Sequence, residues 1–235
     1  MGSQSFPSHV GIIMDGNGRW AQSRGLKRSK GHREGVTSAK AIVKKASDMG
    51  IKYLSLYVFS TENWKRTEEE VSFLMVLIRQ YLKQEYQFYI DNKIRVIHSG
   101  RREDLPKEVL GDIDQVVDQT KDFENLTVNL CINYGGRDEV VRAVKNIVQA
   151  GTAPEEVTEE LISRSIDNGP LPPVDLIIRT GGDLRSSNFL LWEGAYAEFF
   201  FTQKLWPDFT PEDFASALDS FGKRDRRWGG YNAHE

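Results

Sequence analysis

The 235-residue sequence contains a single cysteine, Cys131, which excludes an internal disulfide or a multi-cysteine zinc site. No window reaches the ~18 apolar residues that span a bilayer, and residues 1–8 lack the basic and apolar regions of a signal peptide. The net charge of −3 gives no reason to expect a nucleic-acid partner. These absences predict a cytoplasmic protein with a buried, unreactive thiol, and they leave transient contact with a membrane surface open.

Short apolar segments rich in β-branched residues alternate with longer segments of helical periodicity. The alternation predicts one α/β domain over residues 1–235, a mostly parallel six-stranded sheet with helices on both faces, and flexible ends at about 1–8 and 229–235. The predicted strands are 10–14, 53–59, 94–98, 127–133, 174–179 and 198–201. The predicted helices are 34–49, a long one from a capping box at Thr67 to about residue 90, 138–150, and one that begins at Thr210-Pro211.

Polar, glycine-rich segments follow four of these strands, at residues 15–19, 60–63, 134–137 and 179–183. The carboxyl ends of parallel strands meet at one edge of a sheet, where open α/β proteins bind ligands. The sequence therefore predicts a binding site built from these four loops.

The first loop carries the sharpest chemical signal. Residues 19–33 contain six lysines and arginines and no acidic residue, which favours an anion, although a solvated basic surface would explain the charge as well. A carboxylate beside a phosphate site is repulsive unless a cation lies between them, and Mg²⁺ commonly joins carboxylates to substrate phosphates. Asp15 is therefore predicted to bind a metal that serves a diphosphate; the alternative is an aspartate that caps the next helix.

The segment 16–21 also fits the loose dinucleotide pattern G-x-G-x-x-A. A dinucleotide site would place an acidic residue at the end of the second strand, but that strand ends at Phe59-Ser60. A nucleotide-dependent oxidoreductase is therefore a weaker hypothesis than an enzyme of diphosphate substrates.

Residues 9–21 strongly resemble the first signature of the cis-prenyltransferases, the undecaprenyl diphosphate synthase family. Further signatures are matched by residues 59–64 with Arg66, 133–137, 175–183, 185–192 and 196–198, so the resemblance covers about residues 7–230. It implies a homodimeric α/β enzyme with a hydrophobic tunnel and Mg²⁺ dependence. Such an enzyme adds isopentenyl diphosphate units in cis to an allylic diphosphate, usually farnesyl diphosphate. Undecaprenyl diphosphate for the cell-wall lipid carrier is the default product; a shorter product is the alternative.

The resemblance also implies residue roles. Asp15 is implied as the catalytic metal ligand, Glu198 as the second ligand, and Asn63 as the proton acceptor. An amide is a poor base, so positioning by Asn63, or proton transfer to the diphosphate, is an equal alternative. The implied substrate-binding residues are Gly16, Asn17, Gly18, Arg19, Trp20, Arg28 and His32; Ser60, Thr61, Glu62, Trp64 and Arg66; and Arg179, Arg185, Ser186 and Ser187.

Three positions depart from the common family pattern, namely Thr61, Thr67 and Asp183, and none removes a charge or a donor from the expected site. The resemblance further implies that residues 227–229 reach the active site of the partner subunit. Some members of the family are non-catalytic subunits, but these tend to lose the aspartate at the position of Asp15, which this sequence keeps.

Overall fold

The computed structural model describes residues 6–167, 169 and 171–224. The strands are β1 His9–Ile13, β2 Tyr53–Ser60, β3 Ile94–Ser99, β4 Leu126–Tyr134, β5 Leu176–Arg179 and β6 Glu198–Phe201. The α-helices are α1 Asn17–Gln22, α2 Arg28–Asp48, α3 Glu68–Gln84, α4 Tyr86–Asp91, α5 Lys107–Thr120, α6 Gly136–Gln149, α7 Glu159–Ser165 and α8 Pro211–Gly222. Of the helices within these residues, none has both the length and the apolar composition to cross a bilayer.

The six strands form one sheet in the order β3-β4-β2-β1-β5-β6, and every neighbouring pair is parallel. This confirms the predicted parallel α/β sheet, with strand boundaries that agree to within two residues. Strands β1 and β4 are buried along almost their whole length, as in parallel sheets whose two faces are both covered. In the register, Ile13 lies beside Tyr57 on one side and Arg179 on the other, so three loops leave the same edge.

The two faces of the sheet differ in chemistry. Alternate strand residues such as Val10, Ile12 and Leu56 join the main apolar core with α2, α3, α5 and α8. The opposite face carries buried polar groups, among them Ser55 and Asn129, and a smaller apolar cluster that includes Cys131. Cys131 is fully buried as predicted, and burial raises the pKa of its thiol.

The helix predicted from Thr67 to about residue 90 is two helices. Helix α3 ends at Gln84, and α4 begins after Glu85, whose φ of −91° and ψ of 0° interrupt the helical geometry. The break lets Glu85 pair with Lys40 of α2 at 2.6 Å. Long-range contacts cause this turn, and neither glycine nor proline marks it in the sequence. Thr67 caps α3 as predicted, accepting a hydrogen bond from the N–H of Glu70.

The predicted flexible ends fall mostly outside the described residues. Within them, the backbone N–H of Ser8 donates to Asp175 at 2.8 Å. The carbonyl oxygen of Ser8 accepts from Tyr53 at 3.0 Å, so the chain is already anchored one residue before β1.

A buried carboxyl on α6 predicts how stability depends on pH. Glu139 accepts hydrogen bonds from the Tyr134 hydroxyl and the Asp167 N–H, while burial and the neighbouring Glu193 raise the pKa of Glu139 to about 9. As pH rises through this window the unfolded chain releases the proton first, so stability falls. From about pH 6 to about pH 9, the Tm of the wild type should fall more steeply than that of Glu139→Gln. Parallel Tm curves would contradict this.

Candidate active site

The loops after β1, β2 and β5 enclose a polar cavity of about 790 Å³ at the carboxyl edge of the sheet. Its lining includes Asp15, Asn17, Arg19, His32, Ser60, Glu62, Asn63, Arg66, Arg179, Arg185 and Ser187, all of them residues singled out by sequence. The remaining candidates lie outside this lining: Gly16, Gly18, Trp20, Arg28, Thr61, Trp64, Ser186 and Glu198. The clustering places most of the candidate residues within reach of one ligand.

We call this polar cavity the mouth. Asp15 and Arg179 lie at its centre. Arg179 is only 3 % exposed, and its guanidinium donates to Asp15 at 3.0 Å and to Ser187 Oγ at 2.6 Å. The same group contacts Asp183 at 3.2 Å, and Asp15 also faces Arg19 at 3.4 Å. Arg179 Nε is buried without a hydrogen-bond partner. A buried guanidinium with fixed donors is suited to phosphate oxygens.

The glycines of the first loop allow close packing. Gly16 has a φ of 111°, a left-handed conformation, and a Cβ there would lie about 3 Å from Leu205. A Cβ on Gly18 would lie 3.0 Å from the Arg28 guanidinium, so the absence of a side chain lets Arg28 approach the start of α1. Trp20 instead donates its indole N–H to Asp208 at 2.7 Å, away from the lining of the mouth.

At the other side of the cavity, His32 and Arg66 of its lining gather with Arg28 around one carboxylate, that of Glu70. Glu70 Oε1 lies 2.8 Å from Arg66, 3.5 Å from Arg28 and 3.7 Å from His32. Burial, and then the charge of Arg66, lower the pKa of His32, so its imidazole is mainly neutral near pH 7. Glu70 was not among the sequence candidates, although its spacing of four residues from Arg66 is typical of a helical ion pair.

The loop after β2 forms a 3-10 helix, Thr61–Lys65, held by its own side chains. Asn63 Oδ1 accepts from the Ser60 N–H at 3.1 Å, and the Ser60 side chain is bonded in return by the backbone of Asn63. Trp64 packs edge-to-face on Phe59 and donates to Asn133 at 2.8 Å. The Asn63 amide therefore shapes the loop, which favours a positioning role over a role as base.

An apolar cavity of about 100 Å³ continues from the mouth between α2, α3 and strands β2 and β4. Met14, Asn17, His32, Tyr57, Val58 and Leu74 line both spaces. The deeper walls are Val36, Ala39, Leu77, Ile78, Tyr81, Leu82, Leu130 and Ile132. A charged mouth that opens into an apolar cavity matches a molecule with an anionic head and a hydrocarbon tail.

Comparison with known proteins identifies the family of this chain. A family model described as "Putative undecaprenyl diphosphate synthase" matches residues 13–229. An isoprenyl transferase of Treponema denticola is 52% identical over 221 residues, which cover 94% of this chain and 96% of that protein. The chain belongs to the undecaprenyl diphosphate synthase family.

Solved structures of the family agree with the fold. Lavandulyl diphosphate synthase from Lavandula x intermedia, in complex with dimethylallyl diphosphate, superposes with a TM-score of 0.92 at 33% identity, covering 96% of this chain and 99% of that one. A probable undecaprenyl diphosphate synthase from Campylobacter jejuni gives a TM-score of 0.82 at 32% identity, covering 96% and 100%. The protein is thus a prenyl transferase, and the hypothesis of a nucleotide-dependent oxidoreductase does not fit this family.

Asp15 is the carboxylate of this site that could hold a metal together with a substrate diphosphate. Among residues 6–167, 169 and 171–224, no cluster of three or more His, Cys, Asp or Glu is arranged to hold an ion. Asp15 is about one-third exposed at the mouth, so a cation there would take its other ligands from diphosphate and water. Mg²⁺ prefers such a mixed shell of oxygen atoms.

Glu198 is not brought to Asp15 within one chain. It begins β6, level with Leu176, whereas Asp15 follows the opposite end of β1, more than about 10 Å farther along the strand direction. Its carboxylate pairs with Arg224 at 2.6 Å. The metal role of Glu198 therefore stays a prediction.

Asn188 joins three loops of the prenyl transferase site and was missed as a functional residue. Its side-chain nitrogen donates to Glu62 at 2.9 Å. Its backbone carbonyl accepts from the N–H of Gly136 at 2.7 Å, and its side-chain oxygen accepts from the N–H of Arg137 at 2.9 Å. Its φ of 65° is left-handed, which asparagine tolerates better than most residues. The residue lies within the signature 185–192, which was the available signal.

Replacing Asn188 with alanine should loosen the loop after β2, because its hydrogen bond to Glu62 is lost. We expect amide exchange in residues 60–66 to be about three- to tenfold faster than in the wild type, as for the loss of one hydrogen bond. Asn146→Ala, an exposed change on α6, is the control. Unchanged exchange in residues 60–66 of the Asn188 variant would refute this role.

Proposed function

We propose that this prenyl transferase condenses isopentenyl diphosphate with an allylic diphosphate, farnesyl diphosphate, and repeats the step to make a long cis-polyprenyl diphosphate. The observation that carries the proposal is the continuity between the polar mouth and the apolar cavity. Two separate groups of basic residues beside this mouth support two diphosphates: Arg28 and Arg66 with the neutral donor His32 on one side, and Arg179 with Arg185 on the other.

The first group would hold the allylic diphosphate, with its hydrocarbon tail in the apolar cavity. The second group would hold isopentenyl diphosphate, with Ser187 and Ser186 beside it. The bond between C1 of the allylic substrate and its diphosphate oxygen breaks. The double bond of isopentenyl diphosphate forms the new carbon–carbon bond to C1. A proton then leaves the carbon next to the cation that this leaves on the isopentenyl unit. Because the Asn63 amide is engaged with Ser60, a diphosphate oxygen is the better acceptor for this proton.

Asp15 would hold Mg²⁺, the ion that this family generally uses, together with oxygens of the diphosphate. The ion would supply positive charge that stabilises the departing diphosphate. The guanidinium group of Arg19 already lies beside Asp15 and would contribute fixed charge to the same leaving group.

The product is proposed to be undecaprenyl diphosphate, a precursor of the cell-wall lipid carrier. The cavity of about 100 Å³ is smaller than the roughly 150 Å³ that encloses one benzene ring, so its walls must part to admit a polyprenyl chain. How far α2 and α3 part would set the product length, and a shorter cis-prenyl product is the alternative outcome.

A homodimer in the cytoplasm, with transient contact at the inner membrane surface for product release, completes the proposal. The partner-directed residues 227–229 lie outside the described residues. Val141, Val144 and Val148 form an exposed apolar stripe on α6. This stripe supports the homodimer, because a second copy of the chain could cover it.

The role of Asp15 is tested by Asp15→Ala and the nearly isosteric Asp15→Asn. Both should fold and should lower turnover of labelled isopentenyl diphosphate by at least about 10²-fold, the scale on which removal of one group that stabilises the transition state acts. Asp48→Ala removes an exposed carboxylate at the far end of α2 and serves as the control. Near-normal turnover in the Asp15 variants would contradict the proposed role of Asp15.

Arg185 tests the second diphosphate site. It is largely exposed and pairs with Asp183 at 3.0 Å. Arg185→Ala should raise the KM for isopentenyl diphosphate about tenfold or more, with a smaller change in the KM for farnesyl diphosphate, because one charge-assisted contact is lost. Arg102→Ala, which breaks an exposed ion pair with Asp114, is the control. An effect confined to the allylic substrate would reverse the assignment of the two sites.

A further inference from the structure

Glu70 occupies the position that an anionic ligand would take among the basic residues of the mouth. One oxygen, Oε1, faces Arg28, His32 and Arg66 together. Only the contact with Arg66, at 2.8 Å, is a hydrogen bond; Arg28 and His32 remain at 3.5 and 3.7 Å. Three basic groups thus converge on an acceptor that satisfies one of them.

The polar atoms of this cluster are not all satisfied. His32 Nε2 is buried, has no hydrogen-bond partner among the described residues and lies 3.7 Å from Glu70 Oε1. A buried polar atom without a partner is unfavourable, so an oxygen placed closer than Glu70 Oε1 would stabilise this nitrogen when it carries the proton. A diphosphate has several oxygens spread over two phosphorus centres, and it can contact all three side chains at once.

The contacts of Glu70 also join the two walls of the apolar cavity. Glu70 lies in the first turn of α3, Arg28 and His32 lie in the first turns of α2, and Arg66 ends the loop after β2. Beyond the deep end of the cavity, Lys40 in the middle of α2 pairs at 2.6 Å with Glu85, the residue that follows α3. Helices α2 and α3 are therefore linked at both ends of a cavity that is too small for its proposed occupant.

We propose that Glu70 is a positioning residue that takes the place of the allylic diphosphate in the free enzyme. Its carboxylate holds the three basic groups together and links α3 to α2 at the mouth. The incoming diphosphate displaces Glu70 from Arg28 and His32, which frees this end of α3 to move away from α2 and widens the entrance for the hydrocarbon tail. This inference rests on the proposed function, because it requires that the same basic groups bind a diphosphate.

The chain offers a closely matched pair of variants. Glu70→Gln keeps the size of the side chain and the backbone N–H that Thr67 caps, and it removes the competing charge. Glu69→Gln removes the same charge from the same helical turn, but Glu69 is exposed and lies outside the cluster of basic residues. Both substitutions weaken the favourable interaction of acidic residues with the start of α3 to a similar degree.

Calorimetric titration with inorganic diphosphate, in buffer without divalent metal, tests the proposal. Glu70→Gln should bind with a Kd about three- to tenfold lower than the wild type, because no internal ion pair has to be broken, and Glu69→Gln should match the wild type. Equal Kd values for the wild type and Glu70→Gln, or weaker binding by Glu70→Gln, would overturn the role of Glu70 and leave the proposed function intact. If neither protein binds diphosphate, the allylic site itself is wrong.

A crystal structure of the wild type with inorganic diphosphate gives an answer that does not depend on any variant. We expect phosphate oxygens within hydrogen-bond distance of Arg28 and His32, and Glu70 Oε1 withdrawn from both. Diphosphate bound with Glu70 still in its present contacts would contradict the displacement.

Discussion

Arg179 places a buried positive charge at the carboxyl end of β5, and the geometry of the mouth follows from the need to balance that charge. Asp15 comes from the loop after β1, and Asp183 and Ser187 come from the loop after β5 itself. Arg179 is buried and its charge therefore needs these acceptors, whereas the Asp15 and Asp183 carboxylates are themselves about one-third exposed. The two loops are therefore fixed relative to each other by electrostatics as well as by the parallel register of Ile13 and Arg179.

The need to balance the charge of Arg179 keeps the charged groups apart from the apolar cavity. Charged groups stay at the carboxyl edge of the sheet, where backbone and side chains are held by hydrogen bonds among loops. In the proposed function, the hydrocarbon tail takes the space between α2, α3 and the sheet, where apolar packing and the ion pairs of Glu70 with Arg28 and of Lys40 with Glu85 oppose separation of the two helices. A rigid mouth and a separable pair of helices can thus serve one substrate that has a charged head and an apolar tail.

The strands, the parallel sheet and the gathering of three of the four predicted polar loops could be predicted from sequence because they depend on local periodicity and on a general property of parallel sheets. The fourth loop, at residues 134–137, does not line the cavity. The contacts that sequence did not reveal are long-range. The break at Glu85 depends on Lys40, the orientation of Trp20 depends on Asp208, and Asn188 acts through Glu62. The separation of Glu198 from Asp15 follows from the register of β6, which no motif encodes.

In the proposed function, one mouth binds two diphosphates and passes the growing chain into the apolar cavity. The most direct measurement is to incubate the wild-type protein with farnesyl diphosphate, labelled isopentenyl diphosphate and Mg²⁺, and to determine the length and double-bond geometry of the product. We expect successive products that each gain one isoprene unit, with the new double bonds in cis. Absence of labelled polyprenyl product, or new double bonds in trans, would contradict it.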